Sequence, residues 1–226
     1  MIKTLFNTLQ IMAMERGLNR TYGKRLAERG TSPQGVFWNS RRNQIARFET
    51  LLALIVRANK SRANNSGTTT IADIGCGYGA LLEYLQARQK FAHFRYQGLD
   101  INPSMIAACH DNFSSHNSNF SIGRRPLGSV DFCVFSGTFN LCNISDFARW
   151  ERYIFSCLDA CWQTSRAGMA LNLLCAPDAI VKNRIYYANR DNFIARASAR
   201  YGPTYAAPTR RVENDFTFLV SRESQA

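Results

Sequence analysis

The segment Ile71-Ala-Asp-Ile-Gly75-Cys-Gly77-Tyr-Gly79-Ala-Leu-Leu82 runs from an apolar stretch, broken only by Asp73, into three closely spaced glycines and then into helical spacing. The pattern predicts a buried strand over 69–74, a tight turn, and a helix over 78–90 whose N-terminus a ligand can approach closely. That is the layout of a nucleotide-type site. The spacing also satisfies a dinucleotide fingerprint if Ala80 takes the place of the last glycine, so the glycines alone leave NAD and adenosyl cofactors both open. Two features favour the latter. Asp73 stands two residues before Gly75, where a carboxylate suits a ligand ammonium and repels a pyrophosphate. Two predicted helices also precede the strand, whereas a dinucleotide domain commonly opens with it.

Working outward, the next predicted strand, 92–99, ends at Gln97-Gly-Leu-Asp100-Ile-Asn102. Asp100 can accept two ribose hydroxyls and Ile101 can pack on a purine ring; Asp100 could by itself cap a helix over 103–116, but its coupling to the glycine loop favours ligand binding. Further on the pattern predicts strands at 120–122, 130–135 and 168–175, with a helix over 147–165 between the last two. Strand and helix alternate, which implies a doubly wound, mostly parallel α/β sheet covered on both faces. The tail predicts a helix over 190–201 and strands at 204–211 and 215–220, too close for a crossover and therefore antiparallel.

Upstream, Leu5, Leu9, Met12, Leu18, Tyr22 and Leu26 take helical spacing over 1–29, ending at Gly30. Residues 31–35 read as a loop. A second helix spans 41–59 with Ile45, Phe48, Leu51, Leu52 and Ile55 inward, and the polar stretch 61–68 is a linker. We expect residues 1–66 to form a helical lid or cap packed on a core of 67–226.

The chain has 226 residues, 28 Lys and Arg against 16 Asp and Glu, and a formal charge of +12. The basic excess gathers in the first two helices, which is consistent with an anionic partner such as RNA or with a solvated helical surface. Seven cysteines, an odd count without a C-x-x-C pair, argue against a disulfide framework or a metal cluster and for a reducing, cytoplasmic setting. The longest apolar run, 51–56, is too short to span a bilayer, and residues 1–14 lack the continuous core of a signal peptide.

The glycine motif, the strand-ending Asp100 and the strand Asp131-Phe-Cys-Val-Phe-Ser136 resemble the class I S-adenosylmethionine-dependent methyltransferases over roughly residues 68–176. The resemblance implies a seven-stranded Rossmann-like sheet closed by the strand pair around 204–221. It further implies that Gly75, Cys76, Gly77 and Gly79 wrap the methionine moiety, that Asp73 lies near its amino group, and that Asp100 holds the ribose with Ile101 beside it. Ser136, which ends the strand at the same edge, is a further cofactor-binding candidate. The family often has an acid or amide after its third strand to hold the adenine, but Phe120-Ser-Ile-Gly-Arg124 offers only Ser121 and backbone. Gly35-Val-Phe-Trp38-Asn-Ser40, Gln44, Arg47-Phe48, Ser136-Gly-Thr-Phe-Asn140 and Tyr186-Tyr187-Ala-Asn are similar to strings in a bacterial group of stand-alone methyltransferase domains whose acceptors are mostly unassigned.

Methyl transfer from a sulfonium needs alignment and dry surroundings more than a strong base, so no general base is assigned. Gln44 and Arg47 are candidates for a ligand carboxylate, and Trp38, Phe139, Asn140, Tyr186 and Tyr187 for the acceptor pocket. His93, His110 and His116 have no spacing that suits catalysis or a metal. The reading is a methyltransferase for an oxygen or nitrogen atom of a small molecule, releasing S-adenosylhomocysteine. Its alternatives are methylation of RNA or another polyanion, and binding of the cofactor without turnover.

Overall fold

The computed structural model describes residues 2–60 and 67–222. Helix α1 (Ile2–Arg29) leads through a short 3-10 turn (Pro33–Val36) to α2 (Arg41–Lys60). There follow β1 (Thr69–Ile74), α3 (Ala80–Gln86), β2 (Phe94–Asp100), α4 (Pro103–Asn112), β3 (Phe120–Ile122), β4 (Val130–Phe135), α5 (Phe147–Trp162) and β5 (Ser165–Ala176). The chain closes with β6 (Ile180–Lys182), β7 (Ile185–Asn189), α6 (Arg190–Tyr201), β8 (Thr204–Pro208) and β9 (Asp215–Ser221).

The strand order is β3-β2-β1-β4-β5-β7-β6, with β9 also paired to β5 and β8 to β9. Pairings from β3 through β5 are parallel, and β5–β9, β8–β9 and β6–β7 are antiparallel. The expected mostly parallel sheet with an antiparallel C-terminal pair is therefore present, but with nine strands in place of seven. The additional pair is the β6–β7 hairpin, which turns on Asn183 and Arg184, both at positive φ (52° and 63°). Arginine gives no sequence signal for that conformation, so the hairpin was not predicted.

Helices α2, α3 and α4 cover one face of the sheet and α1, α5 and α6 the other. On α2 the predicted stripe is in place, with Phe48, Leu51, Leu52 and Ile55 buried. On α1 it is displaced: Leu9 and Met12 are exposed, Met14 and Leu18 are buried, and the side chain of Leu5 lies outside the described ones. Among the described side chains of α1 the inward row runs 14, 18, 22, with Ile11 packed against the same cluster. Helices α3 and α4 end sooner than predicted, each giving way to a 3-10 turn, and His93 lies in the turn before β2. Most of the predicted linker lies outside the described residues. No helix among the described residues is long and apolar enough to cross a membrane.

Trp150 of α5 is fully buried and its Nε1 donates to the Phe139 carbonyl at 3.0 Å, tying the helix to the turn after β4. Trp150→Phe keeps most of the packing but leaves that carbonyl without its donor, which costs about 1–3 kcal/mol. Chemical denaturation should show this loss with an unchanged m-value.

Candidate active site

At the end of β1 the chain passes through Gly75 (φ 75°), Gly77 (56°) and Gly79 (87°) before entering α3. A Cβ on Gly75 would lie 2.7 Å from Thr138 Cγ2, and Thr138 is itself anchored by its hydroxyl to the Ile74 carbonyl at 2.7 Å. Asp100 organises the same loop. One carboxylate oxygen accepts from the Gly77 amide at 3.0 Å and the other from the Asn102 amide at 2.8 Å. The cap of α4 is Asn102, whose side chain accepts from the Ser104 amide, so the capping role open to Asp100 belongs to its neighbour. Asp73 accepts from the Tyr96 hydroxyl at 2.9 Å.

These groups line one cleft with an empty volume of about 960 Å³, its mouth included. Helix α1 roofs it. The Asn19 side chain donates to the Ile101 carbonyl, Asn102 returns a bond to the Asn19 carbonyl, and Asn143 donates to the Met14 carbonyl, at 3.0, 3.0 and 2.9 Å. At the rim Arg124 pairs with Glu15 at 3.3 Å.

Burial pushes the Asp73 carboxyl up to about 7, with a further rise from the negative charge of Asp100 and an opposing bond from Tyr96. Burial likewise lifts Asp100 to about 6 against the backbone amides that stabilise its charged form. Among the described residues, the charged ones lining the cleft are Asp73, Asp100 and Arg124, with Arg124 already paired to Glu15. Two buried carboxylates favour a cationic ligand and disfavour a pyrophosphate, which counts against the dinucleotide alternative.

Of the predicted residues, Trp38, Gln44, Asp73, Gly75, Cys76, Gly77, Asp100, Ile101, Ser136 and Phe139 line the cleft. Five do not. Gly79 is a packing position, where a Cβ would lie 2.6 Å from the Phe113 ring. Arg47 turns into the protein and pairs with Asp215 at 2.5 Å. The Asn140 side chain accepts from the Leu174 amide and holds the turn after β4 against β5. Tyr186 is fully buried in β7 with its hydroxyl donating to Glu151 at 2.7 Å, and Tyr187 beside it does not reach the cleft either. His93 and His110 pack on Phe94 and Phe120, away from the cleft, and the side chain of His116 lies outside the described ones.

Sequence reasoning did not single out Asn19, Tyr22, Thr138, Tyr153 and Cys157 as site residues, though all five line the cleft. Tyr22 was visible in the inward row of α1, and Thr138 lay within the quoted turn. Tyr153 and Cys157, one turn apart on α5, carried no signal beyond those of an ordinary core helix.

A family model described as a methyltransferase domain matches residues 71–160. The protein Rv1506c of Mycobacterium tuberculosis, named as a methyltransferase, is 33% identical over 164 residues, covering 71% of this chain and 98% of its own length. The chain belongs to the class I S-adenosylmethionine-dependent methyltransferases. Solved structures show the same fold at low identity. The magnesium protoporphyrin IX methyltransferase of Synechocystis PCC 6803 with bound S-adenosylmethionine aligns with a TM-score of 0.52 at 12% identity, over 79% of this chain and 81% of that one. The DhpI–S-adenosylhomocysteine complex aligns at 0.54 and 13% identity, over 94% and 98%. The amino pentose methyltransferase CalS10 of Micromonospora echinaspora aligns at 0.52 and 14%, over 77% and 91%.

The cleft of this methyltransferase fits the cofactor of its family. The glycine cradle has no room for a Cβ at Gly75, the donor set is two buried carboxylates, and the buried Ser136 hydroxyl at the edge of the cleft has no hydrogen-bond partner in the protein. No cluster of metal-ligating side chains occurs among the described residues.

Proposed function

We propose that this methyltransferase acts on an oxygen or nitrogen atom of a small molecule inside the cleft beneath α1. The observation that carries this reading is the roof. Leu18, Asn19 and Tyr22 of α1, with Val36 and Trp38 behind them, stand over the glycine loop, leaving a deep aromatic pocket that suits a compact acceptor better than a polynucleotide groove. In this reading residues 1–66 are the cap and 67–226 the catalytic core.

S-adenosylmethionine supplies an activated methyl group on a sulfonium. Gly75, Cys76 and Gly77 hold the methionine moiety, Asp73 faces its ammonium, and Gln44 stands near its carboxylate. Asp100 accepts the ribose hydroxyls. Ile101, Phe139 and Tyr153 would supply the apolar surface for the purine and the Gly123 backbone would be available to its polar edge, since Ser121 does not line the cleft. Ser136 offers its free hydroxyl to the cofactor, and Trp38 stands on the acceptor side. The aromatic roof and walls exclude water and fix the approach of the acceptor, and such positioning lowers a barrier by roughly 7–11 kcal/mol in favourable cases. Seven buried free thiols suit a reducing compartment.

The two perturbed acids predict a pH dependence. A cationic ligand favours the ionised carboxylates, so S-adenosylmethionine affinity should rise as pH increases through the interval from about 6 to about 7. Each proton released contributes up to about tenfold per pH unit. Titration calorimetry in two buffers of different ionisation enthalpy reads that release directly. The ligand-free protein should behave oppositely. Folded values above the unfolded ones mean that these two carboxyls contribute most to stability below about pH 4, a contribution lost as pH rises towards about 7.

The functional reading is tested by incubating the purified enzyme with methyl-labelled cofactor and fractionated cell extract. Label in a nuclease-resistant fraction of small molecules is the expected result. Label in a nuclease-sensitive polymer, with activity falling steeply as salt is added, would replace it with the polyanion reading.

A further inference from the structure

The side-chain amide of Asn19, in the roof of the cleft, has one end bonded and one end open. Its Nδ2 donates to the Ile101 carbonyl at 3.0 Å, and its Oδ1 is buried without a hydrogen-bond partner in the protein. The bond that is made decides which end is open, because turning the amide over would set Oδ1 against the Ile101 carbonyl, acceptor against acceptor. The main chain at Asn19 is held as well. Its carbonyl accepts from Asn102 Nδ2 at 3.0 Å, while Asn102 Oδ1 caps α4. The middle of α1 is thus clamped to the stretch Asp100-Ile101-Asn102, and Asn19 lines the cleft beside all three of these residues.

A buried acceptor without a donor is costly unless a ligand brings the donor. The cofactor carries three kinds: the α-ammonium, the ribose hydroxyls and the adenine 6-amino group. With the ammonium at Asp73 and the ribose hydroxyls at Asp100, the amino group is the one still without an acceptor side chain. The turn after β3 does not supply one. Ser121 is outside the cleft lining, Gly123 has no side chain, and Arg124 is a cation paired with Glu15. Near the apolar surface of Ile101, Asn102 Oδ1 already accepts from the Ser104 amide, and the Tyr153 hydroxyl bonds the Cys157 thiol. Asn19 Oδ1 is the side-chain acceptor on that side of the cleft with no donor of its own.

We propose that Asn19 is the adenine-specificity residue of this enzyme, its Oδ1 accepting from the 6-amino group of S-adenosylmethionine. The inference rests on the placement of ribose and purine given above. It adds that the identity of the base is read by α1, in place of the acid or amide that the family often carries after its third strand. The second amino hydrogen remains for the backbone carbonyl at Gly123, whose amide is already bonded to the Asp100 carbonyl at 2.9 Å. A purine with a 6-oxo group turns an acceptor towards Asn19 Oδ1, so the atom that selects adenine also rejects hypoxanthine.

The test uses the full chain and three ligands in calorimetric titration. They are S-adenosylhomocysteine, S-inosylhomocysteine, whose base carries a 6-oxo group, and S-(2′-deoxyadenosyl)homocysteine, which lacks one ribose hydroxyl. Wild type should bind S-adenosylhomocysteine about 30-fold more tightly than S-inosylhomocysteine. Asn19→Ala should weaken S-adenosylhomocysteine about tenfold, keep S-inosylhomocysteine within about twofold, and leave the ratio of the adenosyl to the 2′-deoxyadenosyl ligand unchanged. Asn143→Ala is the second variant. It loosens the roof at the Met14 carbonyl without touching the Asn19 amide, and should change all three affinities by one common factor. Wild-type discrimination between the two bases below about threefold would overturn the proposal. So would a common loss for all three ligands in Asn19→Ala, which would make Asn19 a roof anchor alone. A change confined to the ratio of the two adenosyl ligands would overturn it too, by making the 2′-hydroxyl the partner. Binding of S-adenosylhomocysteine without base discrimination overturns this inference alone, whereas no binding of that ligand overturns the cofactor reading with it.

Discussion

Gly75→Ala is expected to weaken S-adenosylhomocysteine binding by about 30- to 150-fold, from a cost of about 2–3 kcal/mol. Two causes add. At φ 75° an alanine takes on the left-handed penalty of about 1–2 kcal/mol. Its Cβ also meets Thr138 Cγ2 at 2.7 Å, and Thr138 can move aside only by giving up its bond to the Ile74 carbonyl, a further 0.5–1.5 kcal/mol or so. Without ligand the loop relaxes to relieve both, so the cost reappears when a ligand requires the original shape. Calorimetric titration should therefore show a large affinity loss beside a small change in melting temperature. Combining Gly75→Ala with Thr138→Ser removes the clashing methyl and keeps the hydroxyl, and should recover part of the loss. An unchanged affinity in the double variant relative to Gly75→Ala would locate the whole effect in the backbone conformation.

Arg47→Leu is expected to cost about 3–5 kcal/mol of stability, because it leaves the Asp215 carboxylate buried without its counter-charge. Burial already raises the Asp215 carboxyl and the Arg47 guanidinium opposes that rise, so removing Arg47 raises it further. The sign of the pH effect follows. A folded-state value above the unfolded one gives stability that is greatest in acid and declines as pH rises through the window between the two. The variant should then be closest to wild type at low pH and furthest from it at neutral pH, as read by denaturant midpoints across a pH series. Arg47→Leu with Asp215→Leu removes both charges and should recover most of the loss. Trp38 fluorescence should change in both variants, since each takes the guanidinium from its ring face.

The parts of the molecule that were legible in sequence share a local cause. The glycine loop announces itself because positive φ at three alternate positions selects one residue type, and β1, β3, β4 and α6 lie where alternation and helical spacing placed them. Asp100 was legible as an organiser of the loop, but its competing role as a helix cap was settled only by seeing Asn102 take it. What escaped depends on distant pairing. Arg47 read as a free cation at the cleft because nothing local reveals that Asp215, far along the chain, lies beside it. Tyr186 read as a pocket residue because its hydroxyl's partner, Glu151, sits on another element. Tyr153 and Cys157 became visible only once α5 was laid against the turn at Phe139.

Helix α1 bears on how the enzyme is made. Its polar anchors lie 82, 129 and 163 residues downstream, at Ile101, Asn143 and Arg184. On the ribosome this helix is synthesised before every one of those partners, and loop closure over such separations is slow. Its buried apolar side chains among the described ones, Met14 and Leu18, join a cluster with Leu99 of β2 and Phe135 of β4 and must likewise wait for those strands. A helix translated ahead of every partner that seats it is expected to dock late, so the core would fold with an open cleft that a cofactor can enter before the roof arrives.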